Sequence, residues 1–149
     1  MISYEEVLQN LAPCGLNCSK CMAFADGLIS RHARELSRLL GSFDTYAERF
    51  SKFIPVFNDY PQFKNLLDFF TQADCRGCRK GECKYPNCVV PECSRERKID
   101  FCFQCDEFPC EKVTFDPHLK KRWLSMNRRM KEIGAERYCE ETRNTLRYT

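Results

Sequence analysis

The sequence contains no long apolar run free of charged residues, and this absence argues against a membrane-spanning helix. Its first residues, MISYEE, are acidic and lack the basic region followed by an apolar stretch that marks a secretory signal. No glycine-rich phosphate loop, Ser/His/Asp set or paired-carboxylate signature is present. These absences favour a cytoplasmic protein that is not an enzyme, with no membrane partner.

Cysteine is the residue that stands out, with 12 among 149 residues. Disulfides are rare in a reducing compartment, where clustered cysteines are more often metal ligands. A disulfide scaffold, which the even number permits, is the alternative interpretation. From residue 75 to residue 110 the apolar rhythm disappears and eight cysteines alternate with Gly, Pro, Lys and Arg. An ordinary hydrophobic core is therefore not expected in that segment.

Eleven of the cysteines fall into three groups, and each group contains one pair with the C-x-x-C spacing. A tight turn between such a pair points two thiolates at one cation, about 2.3 Å from each sulfur for zinc. Gly77 eases this turn in one pair. We predict that all eleven ligate two or three Zn²⁺ ions. The predicted ligands are Cys14, Cys18 and Cys21; Cys75, Cys78, Cys83, Cys88 and Cys93; and Cys102, Cys105 and Cys110.

The twelfth cysteine, Cys139, stands alone in a helical pattern, so we expect it to be a buried apolar residue. Eleven ligands do not divide into sets of four. Two closed sites use eight, whereas three sites need a twelfth ligand, a bridging thiolate or one open position. His118 is the candidate twelfth ligand, with a solvated histidine at a helix start as the alternative. His32, flanked by arginines, is expected to face solvent.

Apolar periodicity and capping residues predict a mainly α fold, in which helices pack with an irregular, metal-organised lobe. The predicted helices cover about residues 3–10, 18–40, 43–57 with a kink or end at Pro55, 61–73, 117–133 and 135–146. Phe63, Leu66 and Leu146 are expected to be buried. We predict one domain over residues 1–149, helical over about 1–74 and 111–149. The metal-binding lobe is predicted to cover residues 75–110 and to be joined by Cys14, Cys18 and Cys21.

Three motifs together resemble a family of small cysteine-rich bacterial and archaeal proteins, the domain of unknown function 3795. The motifs are CGLNCSKC at 14–21, CRGC at 75–78 and FCFQCDEFPCEK at 101–112. The resemblance covers most of the chain and implies zinc binding by the matching cysteines. It also implies a prokaryotic cytoplasmic protein with no assigned reaction.

The first alternative is an iron–sulfur cluster, because Cys14, Cys18 and Cys21 have the C-x3-C-x2-C spacing of radical S-adenosylmethionine enzymes. Those enzymes need a large barrel of repeated strands and helices, and this chain has neither that length nor that alternation. Redox chemistry at a C-x-x-C pair is a minor alternative, since its usual α/β framework is also missing.

A basic stretch raises nucleic-acid binding as a further alternative. Around Trp123 lie Lys120, Lys121, Arg122, Arg128, Arg129 and Lys131. At about 100° per residue these charges spread over the whole face opposite the apolar side, as on a solvated helix. No spacing of two cysteines and two histidines accompanies them. We therefore favour a structural zinc protein whose surface binds a protein partner.

Overall fold

The computed structural model describes residues 2–81 and 83–149, and in this part the chain is mainly helical, as predicted. Met1 and Glu82, which the predicted domain includes, lie outside the described residues. The helices are α1 (Tyr4–Asn10), α2 (Leu28–Leu40), α3 (Phe43–Phe50), α4 (Tyr60–Thr71), α5 (Val90–Arg97), α6 (Pro117–Ile133) and α7 (Ala135–Arg143). Short 3₁₀ turns occur at Cys18–Lys20, Pro55–Asp59 and Cys102–Gln104. No helix in the described ranges is long and apolar enough to cross a membrane.

Capping residues start α1 and α6 where the sequence predicts. Ser3 and Glu6 form a reciprocal capping box at α1, with the Glu6 amide 3.2 Å from the Ser3 hydroxyl. Asp116 accepts a hydrogen bond from the Leu119 amide at the start of α6. Helix α6 ends at Gly134, which has φ of 85°. Glycine suits this position because an L side chain rarely adopts that conformation.

Two apolar clusters meet along α6. In the first, α7 packs against α1 and α6 around Val7, Phe101 and Met130, each of which is completely buried. The second surrounds Trp123, also completely buried, and includes the side chains of Cys14 and Cys18. The cysteine-bearing segments therefore pack directly against the most buried face of α6.

Helices α2 and α4 pack along each other, and an aromatic group fills the bend between them. The Phe43 ring lies 5.6 Å from Phe57 and 5.3 Å from Tyr60, centroid to centroid. The solvent-facing side of α2–α4 is apolar. Phe63 and Leu66, predicted to be buried, are 41% and 61% exposed, whereas Leu67 of the same helix is buried.

Three predicted boundaries are wrong. Residues 18–27 form turns rather than the start of α2, because the 3₁₀ turn at Cys18–Lys20 and Gly27 interrupt the helix. Helix α3 ends at Phe50, before Pro55 is reached. Helix α7 ends at Arg143, which leaves Leu146 79% exposed instead of buried.

The segment 75–110 is less irregular than predicted, since it contains α5. Pro91 in the first turn suits a helix start, where its missing N–H needs no partner. Lys98 ends the helix in the left-handed region, with φ of 54°. The helix carries few apolar residues, which is why its periodicity is invisible in the sequence.

Candidate metal centre

The structure gathers the eleven predicted ligands around two separate cavities. The first, here called the seven-cysteine pocket, has a volume of about 310 Å³. It is lined by Cys14, Cys18, Cys21, Cys75, Cys78, Cys83 and Cys88. The second, the four-cysteine cavity, has a volume of about 30 Å³. It is lined by Cys93, Cys102, Cys105 and Cys110. All twelve cysteines are free thiols, and Cys139 is buried in the first apolar cluster, as expected.

Backbone hydrogen bonds hold the two cavities side by side. The Cys102 amide donates to the Pro13 carbonyl at 3.0 Å, which joins the second C-x-x-C turn of the lobe to the N-terminal segment. Asn127 of α6, completely buried, connects the same two segments. Its Nδ2 donates to the Cys14 carbonyl at 2.8 Å, and its Oδ1 accepts from the Phe103 amide at 3.0 Å. One side chain of α6 thus fixes both cavities.

The C-x-x-C turn at 75–78 has the geometry that its glycine predicts. Gly77 has φ of 94°, and its amide lies 3.4 Å from the Cys75 sulfur, within reach of an N–H···S hydrogen bond. Cys75 is itself paired to the N-terminal segment. Its amide donates to the Ala23 carbonyl and its carbonyl accepts from the Ala25 amide, each at 2.9 Å. This pairing brings the turn beside the N-terminal cysteines.

Four thiols of the seven-cysteine pocket interact in series. The pKa of Cys18 is lowered to about 6, first because it shares a hydrogen bond with Cys78. The pKa of Cys78 is raised by its hydrogen bonds to Cys18 and then to Cys83. The pKa of Cys83 is lowered by Cys78 and then by Cys88. Cys18 of the N-terminal group and three cysteines of the second group therefore influence one another's ionisation.

At the inner wall of this pocket, burial of the Cys14 side chain is the main influence on the pKa of its thiol. It raises the pKa of Cys14 to about 12, and the Leu16 amide, which hydrogen-bonds the sulfur, acts in the opposite direction. A thiol at this position is neutral unless a positive charge approaches it. A bound cation would supply that charge, because metal ligation requires the thiolate.

Two N–H donors, on Arg97 and Trp123, lie at the four-cysteine cavity. Arg97 Nη1 lies 3.3 Å from the Cys105 sulfur, while Nη2 pairs with Glu107 at 2.6 Å. Burial raises the pKa of Cys102 to about 11, and the indole N–H of Trp123 acts against that rise. Trp123 Nε1 is buried and has no hydrogen-bond acceptor at normal geometry among the described residues. A thiolate on Cys102 would satisfy this orphaned donor better than a neutral thiol.

The C-terminal residues lie across the seven-cysteine pocket, and Arg147 and Tyr148 form part of its lining. Arg147 Nη1 donates to the Asn17 carbonyl at 2.6 Å, and the Met22 amide donates to the Tyr148 hydroxyl at 3.0 Å. Lys20, between two predicted ligands, donates from Nζ to the Thr142 carbonyl. The N-terminal cysteine motif is therefore covered by the last residues of the sequence.

One comparison with known proteins identifies the family. A family model described as "Protein of unknown function (DUF3795)" matches residues 10–115. The chain belongs to this family. The predicted resemblance is thus confirmed. Searches of curated proteins and of solved structures each found no match.

The DUF3795 match contains all eleven predicted ligands and ends before α6. Several residues that surround the sulfurs lie beyond it, among them His118, Trp123, Asn127 and Arg147. The sequence analysis gave no metal-site role to Trp123, Asn127 or Arg147. No motif marks these residues, because their proximity to the sulfurs arises only from the packing of α6 and the C-terminal segment.

The chemistry of the donors fits a metal, although the side chains are not convergent. Within residues 2–81 and 83–149, no three His, Cys, Asp or Glu side chains are already arranged to hold a metal ion. Four sulfurs around one zinc would lie about 3.8 Å apart, given tetrahedral geometry and bonds of about 2.3 Å. Metal binding would therefore require side-chain rotations that bring the sulfurs of a cavity together. The orphaned indole N–H beside Cys102 fits the same chemistry.

Three of the six basic residues in the stretch around Trp123 have partners within the chain. Lys120 pairs with Glu111 at 2.7 Å, and Arg129 pairs with Glu141 at 2.8 Å. Arg122 donates to the Arg147 carbonyl at 2.8 Å. These contacts occupy three of the cationic side chains within the fold, which weakens the argument for nucleic-acid binding.

Proposed function

We propose that this protein binds zinc through its eleven clustered cysteines, and that the bound ions stabilise the lobe formed by residues 75–110. The observation that carries the proposal is the gathering of all eleven thiols at two cavities, from segments far apart in sequence. Thiols that line a cavity contribute little packing energy of their own, even where apolar side chains such as Trp123 lie beside them. Metal coordination would supply folding free energy in their place.

The four-cysteine cavity has the character of a closed structural site. Its volume of about 30 Å³ leaves room for roughly one small ion or water, since a water molecule occupies about 30 Å³ in the liquid. Four thiolates around one zinc leave no open position for a substrate. The excess negative charge of such a site is offset by the Arg97 guanidinium at Cys105 and by the Trp123 N–H at Cys102.

Zinc in this protein would be structural, and its role would be to fix a surface for a protein partner. The apolar outer side of α2–α4, with Phe53 and Leu39 each more than 65% exposed, is the part of the described surface that suits such a role. No reaction follows from the arrangement of the cysteines, and we assign none.

An iron–sulfur cluster in the seven-cysteine pocket is the second candidate function. One observation favours it, which is that this pocket is about ten times larger than the four-cysteine cavity. A four-iron cluster contains inorganic sulfide as well as iron and needs only four cysteines, so it occupies more space per ligand than a zinc ion does.

Metal analysis of protein purified without oxygen tests both candidates. We expect two or three zinc ions per chain, no acid-labile sulfide and no absorption in the visible range. Iron with stoichiometric sulfide and a brown colour would instead support the second candidate, an iron–sulfur cluster in the seven-cysteine pocket. A folded protein with no bound metal, or one cross-linked by disulfides, would contradict both candidates.

A further inference from the structure

We propose that His118 is a metal ligand in the seven-cysteine pocket, where it is the eighth donor and allows the pocket to hold two zinc ions. The protein would then bind three ions in total. This inference rests on the proposed zinc binding and adds to it a ligand outside the DUF3795 match.

The number of donors leads to this assignment. The four-cysteine cavity accounts for one tetrahedral set, which leaves seven thiols in the other pocket. Two tetrahedral ions without shared ligands need eight donors, so seven thiols are one short. His118 lines the same pocket, and among its described lining residues it carries the only imidazole. An imidazole nitrogen is a normal zinc ligand beside three thiolates.

The packing around the start of α6 places His118 beside the cysteines of the lobe. Asp116, the N-cap, receives a hydrogen bond from the Tyr85 hydroxyl at 3.4 Å, and its amide donates to that hydroxyl at 3.1 Å. Tyr85 lies between Cys83 and Cys88 in sequence and lines the pocket with them. The first turn of α6 is thus anchored to the segment that carries two of the unassigned thiols.

The imidazole of His118 is available for this role. Its residue is exposed, and its side chain makes no hydrogen bond with any residue in the described part of the chain. The other histidine, His32, lies on the exposed side of α2 and does not line the pocket. The chain therefore contains a matched pair of histidines, one beside the thiols and one away from them.

The charges at the pocket suit two ions. Two Zn²⁺ ions with seven thiolates and one neutral imidazole carry a net charge of about −3. Arg122 and Arg147 line the pocket and donate to backbone carbonyls. No carboxylate in the described ranges forms an ion pair with either guanidinium, so their positive charges remain to offset the thiolates.

The test compares His118→Asn with the matched control His32→Asn in protein purified with zinc. We expect about three zinc ions per chain in the wild-type protein and the control, and about two in His118→Asn, measured by mass spectrometry. After exchange with Co²⁺, the ligand-field bands of the wild type should contain a component from a site with three sulfurs and one nitrogen. His118→Cys should restore three ions and convert that component to an all-sulfur spectrum.

The outcomes separate this inference from the zinc binding on which it rests. Equal zinc content and identical Co²⁺ spectra in His118→Asn and His32→Asn would overturn the His118 assignment while leaving the cysteine sites intact. Iron and sulfide in the pocket would overturn it as well. Absence of any metal from the folded wild-type protein would defeat the proposed function itself. Because His118 is exposed, circular dichroism should show all three variants folded.

Discussion

Replacement of Trp123 by Phe tests whether the indole N–H stabilises a bound thiolate. The substitution keeps a buried aromatic ring and removes the N–H that lowers the pKa of Cys102. A hydrogen bond to a charged group contributes about 1.5–3 kcal/mol. If that bond forms only with the metal-bound thiolate, its loss weakens zinc affinity at the four-cysteine cavity by about 10- to 150-fold. Removal of a partner that hydrogen-bonds a metal ligand typically costs 10–100-fold, which agrees with this range.

The assay is competition for zinc between the protein and a chelator of known affinity, with the Co²⁺ charge-transfer band as a second readout. Met130→Leu is the matched control, because Met130 is equally buried on α6 but lies in the other apolar cluster. The control should lose a little stability, about 1 kcal/mol, and keep its zinc affinity. Equal affinities for wild type and Trp123→Phe, with only the unfolding temperature reduced, would refute the role of the N–H.

Three further substitutions test the site and its scaffold. Cys75→Ser should lose about one metal equivalent and unfold at lower temperature, whereas Cys139→Ser should keep its metal; full metal in both would contradict the ligand assignment. Gly15→Ala should destabilise the fold by about 1–3 kcal/mol in thermal unfolding, since Gly15 has φ of 94° and a Cβ would meet a methionine methyl at 2.7 Å. Gly81→Ala, in open space, is its control and should unfold like the wild type. Asn127→Leu leaves two buried backbone groups unpaired, so denaturant unfolding should show a loss of about 2 kcal/mol or more, and an unchanged midpoint would refute its bridging role.

The helical part of the fold was predictable because its signals are local. The capping box at Ser3, the start at Asp116 and the stop at Gly134 depend on residues within one turn of each helix. The tight C-x-x-C turn at Gly77 was also expected, and the positive φ of this glycine accords with it. In each of these places, the backbone geometry is determined by a few neighbouring side chains.

The division of the cysteines between the cavities was not predictable, because sequence proximity misleads. Cys88 and Cys93 are five residues apart, yet they line different cavities, since the start of α5 lies between them. Cys14 and Cys88 are far apart and line the same one. Which thiols meet depends on tertiary contacts such as those of Asn127, and these have no local pattern.

The exposed apolar residues were mispredicted for a related reason. Periodicity identifies an apolar face, but it does not show whether another element covers that face. In α4, Leu67 packs toward α2, while Leu66 and Phe69 remain more than half exposed. The helix is therefore more apolar than its contacts within the described chain require.

The seven-cysteine pocket is built from the earliest and the latest parts of the chain, since Cys14 and Tyr148 both line it. At a synthesis rate of about 5–20 residues per second, about 6–25 s pass between the appearance of Cys21 and that of Arg147. During this time the N-terminal thiols lack the cover that Arg147 and Tyr148 provide. The four-cysteine cavity, whose lining ends at Trp123, is complete sooner. Newly made chains would therefore complete the four-cysteine cavity before the seven-cysteine pocket is covered, which leaves the N-terminal thiols exposed to oxidation for longest.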